Sequence, residues 1–118
     1  MDAVTIYAVR VWIDPAGVNA VTGWLRAHHI ADVVAQPGFL WGRCVRLEQD
    51  ADDGWQAYLM LYGLESREAL DLYFAKPIVE RFAEERKPFA HMLRMERAWG
   101  QTEISEDRHL PIGAPDPA

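Results

Sequence analysis

An imidazole and a carboxylate three residues apart on one helix are the strongest chemical signal in this chain. They are His29 and Asp32, within WLRAHHIADVVAQPGF, residues 24–39. At about 100° per residue, with Val18 as origin, Leu25 projects at about 340°, His29 at about 20° and Asp32 at about 320°. Both polar groups therefore face inward beside Leu25, at a spacing that lets them meet. An inward histidine and acid are costly unless they are paired or useful. The chemistry this predicts is general acid or base catalysis near neutral pH, with Asp32 orienting the His29 ring. The alternative is a buried pair that only fixes the helix on its sheet. His28 projects to the edge of the stripe, toward solvent.

A second set of candidates lies on strands. Arg10 and Trp12 alternate with Tyr7, Val9 and Val11, so they occupy the other strand face. Arg43 alternates in phase with Phe39, Trp41 and Val45, while Tyr58, Met60 and Tyr62 share one face of a further strand. A guanidinium among aromatic rings suits a carboxylate, phenolate or enolate, with the rings stacking on the rest of the ligand. The alternative for Arg10 and Arg43 is an ion pair with Glu48 or Glu96 of a second copy. The ligand-binding set expected is therefore Arg10, Trp12, Trp41, Arg43, Tyr58 and Tyr62, joined by His91 in phase with Leu93 and Met95.

Other chemistries are excluded. Adjacent on a helix, His28 and His29 point about 100° apart and cannot chelate one ion. The single cysteine, Cys44, rules out an internal disulfide or a cysteine zinc site, and no basic neighbour activates it. No metal site, phosphate loop, dinucleotide fingerprint or Ser-His-Asp arrangement is expected. With 118 residues, half of them hydrophobic, the chain reads as one domain with a sizeable core. Five Trp, four Tyr and four Phe are enough to line a pocket as well as fill a core. A formal charge of −6 argues against nucleic acid. No apolar run approaches the roughly 18 residues of a membrane span, and nothing at the start resembles a signal peptide. A cytoplasmic protein is expected.

The elements that would position these residues follow from periodicity. Val4 to Ile13 alternates as a first strand; Asp14 and Pro15 open a helix that ends near Gln36, before Pro37-Gly38. Phe39 to Glu48 and Trp55 to Leu64 read as a hairpin closed by QDADDG. Ser66 caps a helix that buries Leu70, Tyr73 and Phe74, and Pro77 starts another with Ile78 and Phe82 inward. Pro88 closes that piece, and Phe89 to Trp99 alternates as a fourth strand. The order β-α-β-β-α-β is the split βαβ, ferredoxin-like arrangement of an α+β domain: a four-stranded antiparallel sheet with helices on one face. Its bare face, with Ile6 and Trp12, predicts a homodimer of sheets packed face to face. The domain should span residues 4–100, and residues 101–118 a tail that is flexible or packed on the partner.

The segments IYAVRVWID, WLRAHHIADVVAQPGF and YLMLYGLESREALDLYF resemble the dimeric α/β-barrel superfamily over Ile6 to Trp99. In detail they resemble a small bacterial family of unknown function within it. The superfamily holds cofactor-free monooxygenases of antibiotic synthesis, polyketide cyclases, muconolactone isomerase, EthD-like ether-degradation accessory proteins and haem enzymes. The resemblance implies a dimeric barrel with a pocket for an apolar, aromatic or polyketide-like small molecule. Arg10 and Trp12 should then point into the barrel. An enzyme of this kind would need no cofactor and would act by proton transfer or by reaction of an enolate with oxygen, with His29 as acid/base. The rivals are a non-catalytic binding or accessory protein, and a haem protein with His91 as proximal ligand.

Overall fold

The computed structural model describes residues 2–108. The chain runs β1 (Thr5–Ile13), α1 (Val18–Trp24), α2 (Ile30–Val34), β2 (Phe39–Arg46), β3 (Gln56–Leu64), α3 (Arg67–Phe74), α4 (Pro77–Arg86) and β4 (Leu93–Gln101). The sheet has the order β2-β3-β1-β4 and every neighbouring pair is antiparallel. This is the split βαβ arrangement that the sequence predicts. Both helical stretches lie on one face, because the inward rows Tyr7–Ile13 and Met60–Leu64 are where the helices bury Val21, Leu25, Leu70 and Phe82. Each such fully buried side chain contributes about 1.5–3 kcal/mol.

Local signals start the helices where expected. The Asp14 carboxylate accepts from the Ala16 N–H and Pro15 opens the 3₁₀ turn Pro15–Gly17. The Ser66 hydroxyl accepts from the Ala69 N–H at 3.1 Å and caps α3, and Pro77 sits in the first turn of α4. The Pro37-Gly38 turn needs its glycine, with φ +84°.

Between α1 and α2 the helix does not break but widens. Leu25–His29 forms a π turn in which the Ile30 N–H donates to the Leu25 carbonyl, five residues back. Val21, Leu25, His29 and Val33 are all buried, a strict four-residue repeat. Uniform α winding would carry such a row about 120° around the axis over three steps, and the extra residue in the turn cancels most of that drift. The same delay turns Asp32 out of the stripe and gives its place to Val33.

Three boundaries differ from expectation. The fourth strand begins at Leu93, not Phe89, since Lys87–Met92 winds as a 3₁₀ turn around Pro88. Proline has no N–H for a sheet ladder and its fixed φ suits a helical turn, so Phe89 packs on Trp24 instead of pairing in the sheet. Strand β2 ends at Arg46 and carries a bulge between Phe39 and Trp41. The bulge separates residues that alternation placed together. Phe39 is buried against Tyr62 and Tyr73, whereas Trp41 covers Gly63 on the opposite face. Strand β4 extends to Gln101, and Thr102 still bonds back to Val4 and Ala3. Most of the expected tail, from residue 109 on, lies outside the described residues.

Candidate functional site

A cavity of about 340 Å³ lies between the sheet and the helices. It sits at the small end of the roughly 300–1,000 Å³ typical of small-molecule sites. Its walls are mostly apolar, with Val9, Met60 and Met95 from the sheet and Leu25, Val33 and Phe82 from the helices. Its polar lining residues are fewer: His29, Tyr7, Tyr62, Tyr73, Arg86 and Arg97.

His29 is 7% exposed. Its ring stacks on Trp24 at 4.3 Å and meets Phe82 edge-on at 4.8 Å. Nδ1 is enclosed with no hydrogen-bond partner among the described residues. An orphaned polar atom of this kind costs about 1–3 kcal/mol, so the imidazole is held in place by ring packing rather than by hydrogen bonds. Burial, then the nearby Arg86 charge, lowers its pKa from 6.5 to about 4, while Asp32 pulls weakly the other way. At neutral pH the ring is uncharged, since burial moves its titration below the neutral range that the sequence suggests.

Asp32 does not hold His29. Its carboxylate is partly exposed and faces Arg81 of α4 at 3.4 Å. The physical reason is the π turn, which rotates position 32 away from the core. His28 is exposed, as its projection predicts.

The strand candidates divide between two faces. Tyr62 is buried in the cavity wall, and burial drives its hydroxyl pKa well above 10. Tyr58 is on the same sheet face but beyond the cavity, under the Arg46 guanidinium at 5.2 Å. Arg10, Trp12, Trp41 and Arg43 lie on the face away from the helices. There Arg10 sits over Trp12 at 5.2 Å and Arg43 over Trp41 at 5.4 Å. Arg10 and Tyr62 therefore cannot touch one ligand in a single chain. His91 is exposed on the 3₁₀ turn and does not line the cavity. No cluster of three His, Cys, Asp or Glu side chains suited to a metal ion occurs among the described residues.

Sequence reasoning missed Arg86 and Arg97. Arg97 follows Leu93 and Met95 by strand alternation, and Arg86 follows Ile78 and Phe82 at four-residue steps, so both signals were available. Tyr7 and Tyr73 were assigned to the core, yet both reach the cavity. Burial raises the Tyr73 pKa to about 12 and also raises that of Tyr7, which the neighbouring Arg97 partly offsets.

Solved structures with this architecture include a cofactor-independent oxygenase, SnoaB from Streptomyces nogalater. It is 18% identical, with 88% of this chain and 97% of that chain covered, and a TM-score of 0.61. A monooxygenase from the gene ActVA-Orf6 of Streptomyces coelicolor, in complex with the ligand Nanaomycin D, is 16% identical over 91% and 94% of the two chains, with a TM-score of 0.65. The haem degrader MhuD from Mycobacterium tuberculosis, with two haems bound in its active site, is 17% identical over 87% and 99%, with a TM-score of 0.66. At these identities the likeness is one of fold. A search of the curated proteins finds no match. The family described as "Domain of unknown function (DUF4286)" matches residues 4–97, four-fifths of the sequence, and the chain belongs to it.

Proposed function

We propose that the cavity binds a planar aromatic or polyketide-like molecule and that the protein converts it without a cofactor. The observation that carries this reading is a neutral imidazole with a nitrogen unpartnered among the described residues, in the wall of a mostly apolar cavity. His29 in its base form would accept a proton from an acidic ring C–H, leaving a carbanion or enolate. With oxygen as co-reactant, one oxygen atom enters that carbon and the other leaves as water. The fold neighbours described as a cofactor-independent oxygenase and a monooxygenase lend support.

The test uses an anthrone such as 1,8-dihydroxyanthrone, which with one O₂ would give the anthraquinone and one water. Oxygen uptake should exceed the uncatalysed rate and return to it in His29→Leu, with the variant still folded. Uptake unchanged in that variant would remove His29 from the chemistry. One observation favours a second reading, binding without turnover: Asp32 pairs with Arg81, so no carboxylate orients the imidazole. Saturable binding with no oxygen uptake would select it.

We infer further that two copies pair through the sheet face opposite the helices. Ile6, Trp12, Trp41 and Leu61 leave apolar surface there. Sedimentation should give twice the mass of the 118-residue chain, and Leu61→Glu should halve it. A cytoplasmic location is part of the same proposal; among the described residues no helix is long and apolar enough to cross a membrane.

A further inference from the structure

We propose that Arg86 and Arg97 form an anion clamp in the cavity, so that its ligand is an aromatic molecule carrying a carboxylate, phenolate or enolate. The inference deepens the reading above and rests on the cavity being a ligand site. Both residues line the cavity, one from the last turn of α4 and one from the middle of β4. The six ion pairs among the described residues include neither of them, although the chain carries an excess of acids.

Two like charges at one cavity repel each other, and partial burial costs Arg86 some of its hydration, an arrangement that a bound anion relieves. Burial first, and the Arg97 charge second, lower the Arg86 pKa. The Tyr7 and Tyr73 hydroxyls stand beside the pair and are within reach of its charge. Arg86 also acts electrostatically on His29. A ligand anion at the clamp would therefore sit near the imidazole, and the Trp24 and Trp99 rings would be left for its aromatic body. Arg–carboxylate contact is geometrically specific, because the planar fork matches two acceptor oxygens.

The test is isothermal titration of the full chain with 1-hydroxy-2-naphthoate and with its neutral isostere, 1-hydroxy-2-naphthamide. The wild type should favour the carboxylate by about tenfold or more. Arg86→Met and Arg97→Met should each lose most of that preference, the carboxylate weakening far more than the carboxamide. Each variant removes one of two like charges, so neither should melt below the wild type. Should Arg86→Met fail to fold, the more exposed Arg97 carries the comparison. Equal wild-type affinity for the two probes, or a preference that survives in the double variant, overturns the clamp and leaves the cavity reading standing. Binding of neither probe overturns both.

Discussion

Replacing His29 with leucine should flatten the pH dependence of stability between neutrality and mild acid. The folded protein holds the imidazole at a pKa of about 4 against 6.5 for an ordinary histidine, chiefly by burial. Above the higher value both folded and unfolded chains carry a neutral ring, and the group contributes no pH dependence. As pH falls through 6.5, the unfolded chain takes up the proton and the folded chain does not, so stability declines until about pH 4 is passed. Linkage puts the loss between about pH 7 and about pH 5 at about 2 kcal/mol. That is a large share of a typical stability of about 5–15 kcal/mol. Urea unfolding followed by tryptophan fluorescence at several pH values measures it. The wild-type-minus-variant difference isolates His29 from the carboxylates, which titrate in both proteins. Parallel curves for the two would refute the buried, neutral assignment, as would an imidazole NMR titration near 6.5 in the folded protein.

Other expectations follow from particular contacts. Asp32→Asn removes only an exposed pair with Arg81, so unfolding free energy should change by about 0.5 kcal/mol or less. The His29 pKa should move slightly downward, and a large upward move would show that the carboxylate had been acting otherwise. Gly42→Val would push a Cβ to 2.8 Å from Val34 and 3.1 Å from the Tyr62 ring. Denaturant titration should show it less stable by about 1–3 kcal/mol, with the Tyr62 wall of the cavity displaced. Ser66→Ala loses the cap on α3 and should lower stability by about 1 kcal/mol in the same measurement, with ligand binding unchanged.

The sheet was legible in the sequence because β1 alternates throughout and β3 is an apolar run of strand length bounded by turn signals, and the helix starts because Asp14, Ser66 and Pro77 are local signals that need no tertiary context. What was not legible depended on one-residue shifts of phase. A projection at constant winding puts Asp32 beside His29, and only the π turn at Leu25–His29 shows that Val33 has taken that place. The bulge after Phe39 does the same to Trp41. Phe89–Met92 reads as the start of the fourth strand, yet Pro88, without an N–H, winds Lys87–Met92 into a turn. The cavity was sought on the Arg10 face, where a dimer of sheets would enclose it. It opens instead beneath the helices, so Arg86 and Arg97 stood in plain view on inward positions without being nominated.

The gap between helices and sheet has a mechanical consequence. Unfilled volume inside a folded chain is what hydrostatic pressure acts to eliminate, since unfolding lets water occupy it. Where the cavity of about 340 Å³ separates the two layers, helices and sheet lack direct contact, and fewer packed atoms resist their separation. A ligand that fills that space stiffens the molecule along the same direction. Compressibility thus becomes a property set by whatever the cavity holds.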